Sequence, residues 1–158
     1  MTFPEFFQIL VAAVGSIGFA ILFNIRGRRL LSVAMGGGLC WLLFLLLNRW
    51  IENEAGCFFL VAMLVSLYDE LMARVLKSPT TVFLLPSLVP LIPGASLYYT
   101  MVGAVSKHQA DFLARAVHTV ELAGALAIGI IASTLIVRII NWILALIRLQ
   151  KNKNSAKK

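Results

Sequence analysis

Long apolar runs separated by short polar punctuation set the plan of this chain. Residues 6–23 form the first run, entered through Pro4 and Glu5 and stopped by Asn24 and the basic cluster Arg26, Arg28 and Arg29. The second covers 30–47 and closes with Asn48, Arg49 and Trp50, after which Glu52 and Glu54 make a polar turn. The third, 56–68, is too short to cross a bilayer, which takes about 20 apolar residues. It continues through Leu71, Met72, Val75 and Leu76 at helical spacing while Arg74 and Lys77 face elsewhere. That pattern predicts one helix leaving the membrane and stopping at Ser78–Pro79. The fourth run is 81–105. The fifth, 117–147, is long enough to project from the membrane, and a polar, basic tail follows. The reading is an all-α integral membrane protein of about five transmembrane helices, the fourth broken at Pro90–Gly94. Residues 1–149 form a single transmembrane domain, and 150–158 form a basic cytoplasmic tail expected to be unstructured.

The fourth run holds the chemistry. "FLLPSLVPLIPGASLYYT" (83–100) places Pro86, Pro90 and Pro93 inside a stretch apolar enough to span. An interior proline removes one helix hydrogen bond and clashes with the carbonyl four residues back. In hydrocarbon an unmet backbone group costs several kcal/mol, so such a break survives only where it lines protein or a watery cavity. Broken helices at mid-membrane are where secondary transporters bind their substrates. A new helix must start after Gly94, and its first N–H groups form a site for a carboxylate. Ser96, Thr100 and Gly103 then share one face, flanked by Tyr98 and Tyr99. The predicted substrate-binding set is Pro90, Pro93, Gly94, Ala95, Ser96, Tyr99 and Thr100. The competing view is a kinked structural helix whose hydroxyls bond back to their own carbonyls.

Composition agrees with this frame. The chain is 60% hydrophobic and only 13% charged, with mean hydropathy +0.90, where soluble domains carry about a quarter charged residues. Its net charge of +7 is not read as a nucleic-acid footprint, because the basic residues cluster at the ends of apolar runs as cytoplasmic anchors do. With five crossings, Arg26, Arg28, Arg29, Arg74, Lys77 and the basic residues of 148–158 fall on one side, against Arg49, Lys107 and Arg115 on the other. The expectation is a multi-pass plasma (inner) membrane protein with its N-terminus outside and its C-terminus cytoplasmic. A re-entrant hairpin over 81–105 is the alternative, and it would put the basic tail outside. The acidic start, "MTFPEFFQ", does not resemble a cleavable signal peptide. Glycines are frequent in the runs, as in helices that pack closely in membranes, and suit packing against a partner subunit or a second copy.

The segment "KSPTTVFLLPSLVPLIPGASLYYTMVGAV" (77–105), a proline-rich approach followed by P-x-x-P-G and a Ser/Tyr-bearing helix, resembles the threonine/serine exporter (ThrE) family, specifically its small membrane subunit or C-terminal half. "GFAILFNIRGRRL" (18–30) is similar to a second family feature, a first span ending in Phe-Asn with basic residues after it. Many relatives carry a proline soon after that Asn; here Arg26 and Gly27 stand there. The resemblance implies an inner-membrane exporter of small amino acids or short carboxylates, driven by an ion gradient. It further implies a separately encoded larger ThrE-type subunit as partner. Joining two five-span halves end to end would invert the second, as transporter repeats often require.

Among ionisable residues, Glu121 near the start of the fifth run and Asn24 at the end of the first are the candidates for ion coupling. Asp69 and Glu70 are read as structural, with Glu70 and Arg74 an i,i+4 pair and Arg74 a ready neutraliser for both. Cys40 and Cys57 form no C-x-x-C and read as small buried hydrophobes; His108 and His118 lack metal-ligand spacing, so no metal and no cofactor is expected. No paired-carboxylate, nucleophile or metal motif supports an enzyme. A scaffold subunit that only stabilises a partner is the rival from another class, with a membrane enzyme behind it.

Overall fold

The computed structural model describes residues 3–105 and 109–155. They form six α-helices: α1 (Phe3–Leu22), α2 (Arg28–Leu47), α3 (Glu54–Val75), α4 (Thr81–Leu88), α5 (Gly94–Val105) and α6 (Gln109–Ser155), with a single 3-10 turn, Val89–Leu91, after α4.

Local chemistry explains the ends. Asn24 has φ 57°, in the left-handed region that asparagine tolerates better than most side chains. Around it the Asn24 N–H bonds to the Ile21 carbonyl and the Ile25 N–H to the Ala20 carbonyl, both at 2.9 Å, which is the Schellman closure of a helix. Ile25 is then buried beside Ala20, Val33, Ala73 and Phe83. Lys77, φ 48°, ends α3 in the same way, with the Ser78 N–H on the Ala73 carbonyl. At the start of α3, the Asn53 side chain accepts from the Gly56 N–H at 3.3 Å. α6 begins earlier and ends later than the fifth apolar run, and residues expected to be an unstructured tail continue it to Ser155. No proline or glycine interrupts 130–155, so nothing in that stretch stops a helix once it is under way.

α1 and α2 are antiparallel: Gly37 meets Ser16 and Ala12, and Gly38 meets Ala13 and Ile9. The far ends are tied by an ion pair between Glu5 and Arg49. α2 and α3 are antiparallel too, with Tyr68 on Ser32 at one end and Cys57 on the Phe44 carbonyl at the other. α4 lies against both, its Ser87 beside Gly36 of α2 and bonded to Asp69 of α3.

α6 packs along α3, and the direction of that packing decides the topology. Glu54 pairs with His118, Ala62 touches Gly129, and Arg74 bonds Asn141. Both numbers rise together, so the two helices run parallel. The chain must therefore travel back along the bundle between them, and α4 and α5, bent by 62° at their junction, make that return. The return has the direction that a crossing of 81–105 takes, with Thr81–Leu91 and Gly94–Val105 as the two arms of one bent pair. The described residues form an all-α bundle with four helices long and apolar enough to cross a membrane, or five if the bent pair counts as one span. Its main core gathers Cys40, Cys57, Phe58, Val61, Val65, Leu88, Leu91 and Leu122 from four of the passes.

Candidate functional site at the helix break

The break lies where the prolines predict it. Pro86 is accommodated inside α4, but Pro90 brings no N–H for the Pro86 carbonyl. The chain tightens into the 3-10 turn and becomes extended at Ile92, ψ 125°. The Gly94 N–H then closes onto the Ile92 carbonyl at 2.7 Å, and α5 opens with the Leu97 N–H on the Pro93 carbonyl at 3.0 Å. Ala95 and Ser96 sit in this first turn, where N–H groups have no carbonyl of their own helix to reach.

These N–H groups border a cavity of about 200 Å³. Pro90, Leu91, Ile92, Pro93, Gly94, Ala95 and Ser96 form one wall. Trp41, Phe44, Phe58 and Leu122 supply apolar walls from α2, α3 and α6, and Glu54 contributes a carboxylate. His118 Nε2 lies 3.3 Å from Glu54 Oε2, with both side chains about half exposed. Trp41 and Pro90 also border a more apolar cavity of about 320 Å³ with Phe7, Gln8, Val11 and Ala12. The Trp41 indole N–H donates to Gln8 Oε1 at 3.2 Å and so fixes the ring between the two spaces. The smaller cavity is the better candidate site because a helix N-terminus and a carboxylate meet in it.

Of the residues singled out from sequence, the structure brings Pro90, Pro93, Gly94, Ala95 and Ser96 together around that cavity. Tyr99 and Thr100 are not on its wall. Tyr99 is exposed, edge-on to Tyr98, with the Arg115 guanidinium 5.6 Å from its ring centre. The Thr100 hydroxyl bonds the Ser96 carbonyl at 2.8 Å and meets the Thr119 hydroxyl at 3.0 Å. It bonds back to its own helix and pins α5 to α6. Glu121 is exposed beside Leu122, and Asn24 caps α1 in an exposed turn; neither lines the cavity.

Sequence reasoning missed Glu54, Trp41 and Phe58, because they come from distant runs and only the packing of α2, α3 and α6 converges them. It also misjudged Asp69. Arg74 serves Glu70, at 3.4 Å, and Glu70 accepts from the Thr80 hydroxyl at 2.6 Å, while Asp69 turns inward and is fully buried.

No solved structure matches this chain. A family model described as Threonine/Serine exporter, ThrE, matches residues 8–136, from the second turn of α1 to well into α6 and across the whole break. A multi-pass bundle with a proline-broken span, matched by that model over most of its length, belongs to the threonine/serine exporter (ThrE) family.

Proposed function

We propose that this chain is the membrane subunit of a secondary exporter for threonine, serine or a related small carboxylate, and that the cavity at the helix break is where the substrate docks. The single observation that carries the reading is the meeting of the α5 N-terminus and Glu54 across one small cavity. A substrate carboxylate suits the free N–H groups and positive dipole end at Ala95 and Ser96. Glu54 repels a second carboxylate and attracts an ammonium group. The pairing favours a zwitterionic amino acid over a dicarboxylate, with the Ser96 side chain beside it and Trp41 and Phe58 excluding water.

In this reading an ion gradient drives export, and a separately encoded, larger ThrE-type subunit completes the transporter. The protein sits in the inner membrane with its C-terminus cytoplasmic; the concentration of basic residues at the 26–29, 74–77 and 148–158 end supports that orientation. Glu121 and Asn24, away from the cavity, fit ion coupling less well than substrate-independent roles.

The test is export of labelled threonine from cells carrying both subunits. Glu54→Gln and Ser96→Ala are each expected to slow export at least tenfold, equivalent to about 1.4 kcal/mol, with the complex assembled normally. Glu54→Gln should also narrow the preference for threonine over succinate. Wild-type export by both variants, in normally assembled complexes, would remove the substrate from this cavity.

A further inference from the structure

Asp69 is the one carboxylate carried deep into the bundle among the described residues. It lies about 9 Å, or six residues, inside the C-terminal end of α3. It is 0% exposed, and its Oδ1 accepts from the Ser87 hydroxyl at 3.0 Å. Its Oδ2 is buried and has no hydrogen-bond partner. Arg74, the cation next in sequence, is committed to Glu70 and Asn141.

The groups that face Asp69 offer it no compensating charge. α2 brings the buried Cys40 thiol within electrostatic reach, and α4 brings Ser87. α1 carries no charged residue but Glu5, which is tied to Arg49 at the other end. Arg138 of α6 is exposed. On α3 itself Tyr68 gives its hydroxyl to the Ser32 carbonyl, and Glu70 bonds Arg74 and Thr80. A carboxylate in such surroundings is expensive to keep charged and is functional by default inside a membrane span.

Ser87 gives the carboxylate a mechanical connection. It stands on α4 two residues before the 3-10 segment that leads into the break. Gly36 of α2 lies so close that a side chain there would collide with the Ser87 hydroxyl. α4 is thus held against α2 and α3 where Asp69 grips it.

We propose that Asp69 is a proton-binding site of the transport cycle, and that Ser87 passes its protonation state to the broken helix and so to the cavity at α5. The inference rests on the exporter reading for its role and on Asp69 alone for its chemistry. A proton delivered by water adds to Oδ2, forming one O–H bond, and is later returned to water; no other bond is made or broken. The charged form grips the Ser87 hydroxyl by a charge-assisted bond, roughly twice as strong as the bond to the neutral acid. Protonation therefore loosens α4 next to the break, and deprotonation tightens it.

The experiment uses the complete two-subunit transporter in proteoliposomes, with labelled threonine and a pH gradient. Asp69→Asn is expected to cut gradient-driven accumulation at least tenfold and to abolish proton movement accompanying threonine. Wild-type accumulation by that variant would overturn the proposal. Transport driven by a sodium gradient at constant pH, and lost in Asp69→Asn, would also overturn it. Infrared difference spectra of the same protein give a second readout, independent of transport. Lowering the pH should bring up a protonated-carboxyl band that Asp69→Asn lacks and Ser87→Ala shifts. If the wild-type protein moves no threonine, the exporter reading falls while this band still decides whether Asp69 takes a proton. Absence of the band at every pH, or its survival in Asp69→Asn, would sink the proton site. Should Asp69→Asn fail to assemble, the wild-type and Ser87→Ala spectra decide alone, an unshifted band counting against it.

Discussion

Gly124 and Gly129 stand five residues apart on α6, yet they do opposite things. A methyl group at Gly129 would collide with the Phe59 carbonyl and lie 2.9 Å from the Ala62 methyl and 3.1 Å from the Met63 amide. These are backbone and short groups of α3 that cannot swing aside. Nothing lies within 4 Å of the same position at Gly124. Gly129→Ala should therefore destabilise the bundle by about 1–3 kcal/mol through overpacking. Gly124→Ala should be neutral or stabilise by up to about 1 kcal/mol, from better helix propensity. Unfolding in mixed micelles measures both; equal effects would mean that α6 does not pack on α3 in this register. The sequence shows that glycines are abundant but not which of them touch. By contrast the end of α1 at Asn24 is legible, since an asparagine just past an apolar run is a known way to end a helix. The Glu70–Arg74 pair is legible from its i,i+4 spacing, but the burial of Asp69 without Arg74 as a neutraliser is not, because it depends on how α3 is rotated against α2 and α4.

The broken span is the element most fully written in the sequence. Pro90, Pro93 and Gly94 leave no continuous α-helix through residues 89 to 93, and the structure departs from α-helix there. Less predictable was the direction of α5 after the break, which depends on Gly103 packing against Phe112 and on the Thr100–Thr119 contact with α6. Those contacts turn Tyr99 and Thr100 away from the cavity, so helical spacing from Ser96 named the wrong companions. Replacing both Pro90 and Pro93 by alanine restores two N–H groups and lets α4 run on toward α5. The double variant should gain helix content and keep its fold but lose export at least tenfold. Circular dichroism and threonine export check the two halves; full export from a straightened span would remove the break from the mechanism.

At the scale of the molecule, span count and order follow from hydropathy, but the side-by-side packing of α3 and α6 does not. Apolar faces carry no record of their partner, and lipid-facing and protein-facing surfaces are equally greasy. In the five-pass reading proposed above, the number of passes is odd and the two ends of the chain lie on opposite sides. Single cysteines at Glu52 and at Lys153, in a background lacking Cys40 and Cys57, test this with an impermeant thiol reagent on intact cells. Position 52 should label from outside and position 153 only after permeabilisation. Labelling of both from the same side would overturn the five-pass arrangement.

The apolar part of α6 runs from Phe112 to Ile147, 36 residues, and most of its large side chains are exposed on the bundle surface. At 1.5 Å per residue that rod measures about 54 Å, against a hydrocarbon layer of roughly 30 Å. A lone helix absorbs such an excess only by leaning over to nearly 60°, where tilts average about 20°. Held upright by α3, it would lift greasy flanks into water unless another apolar surface met them, so the surplus length makes α6 the natural mast for whatever this bundle joins.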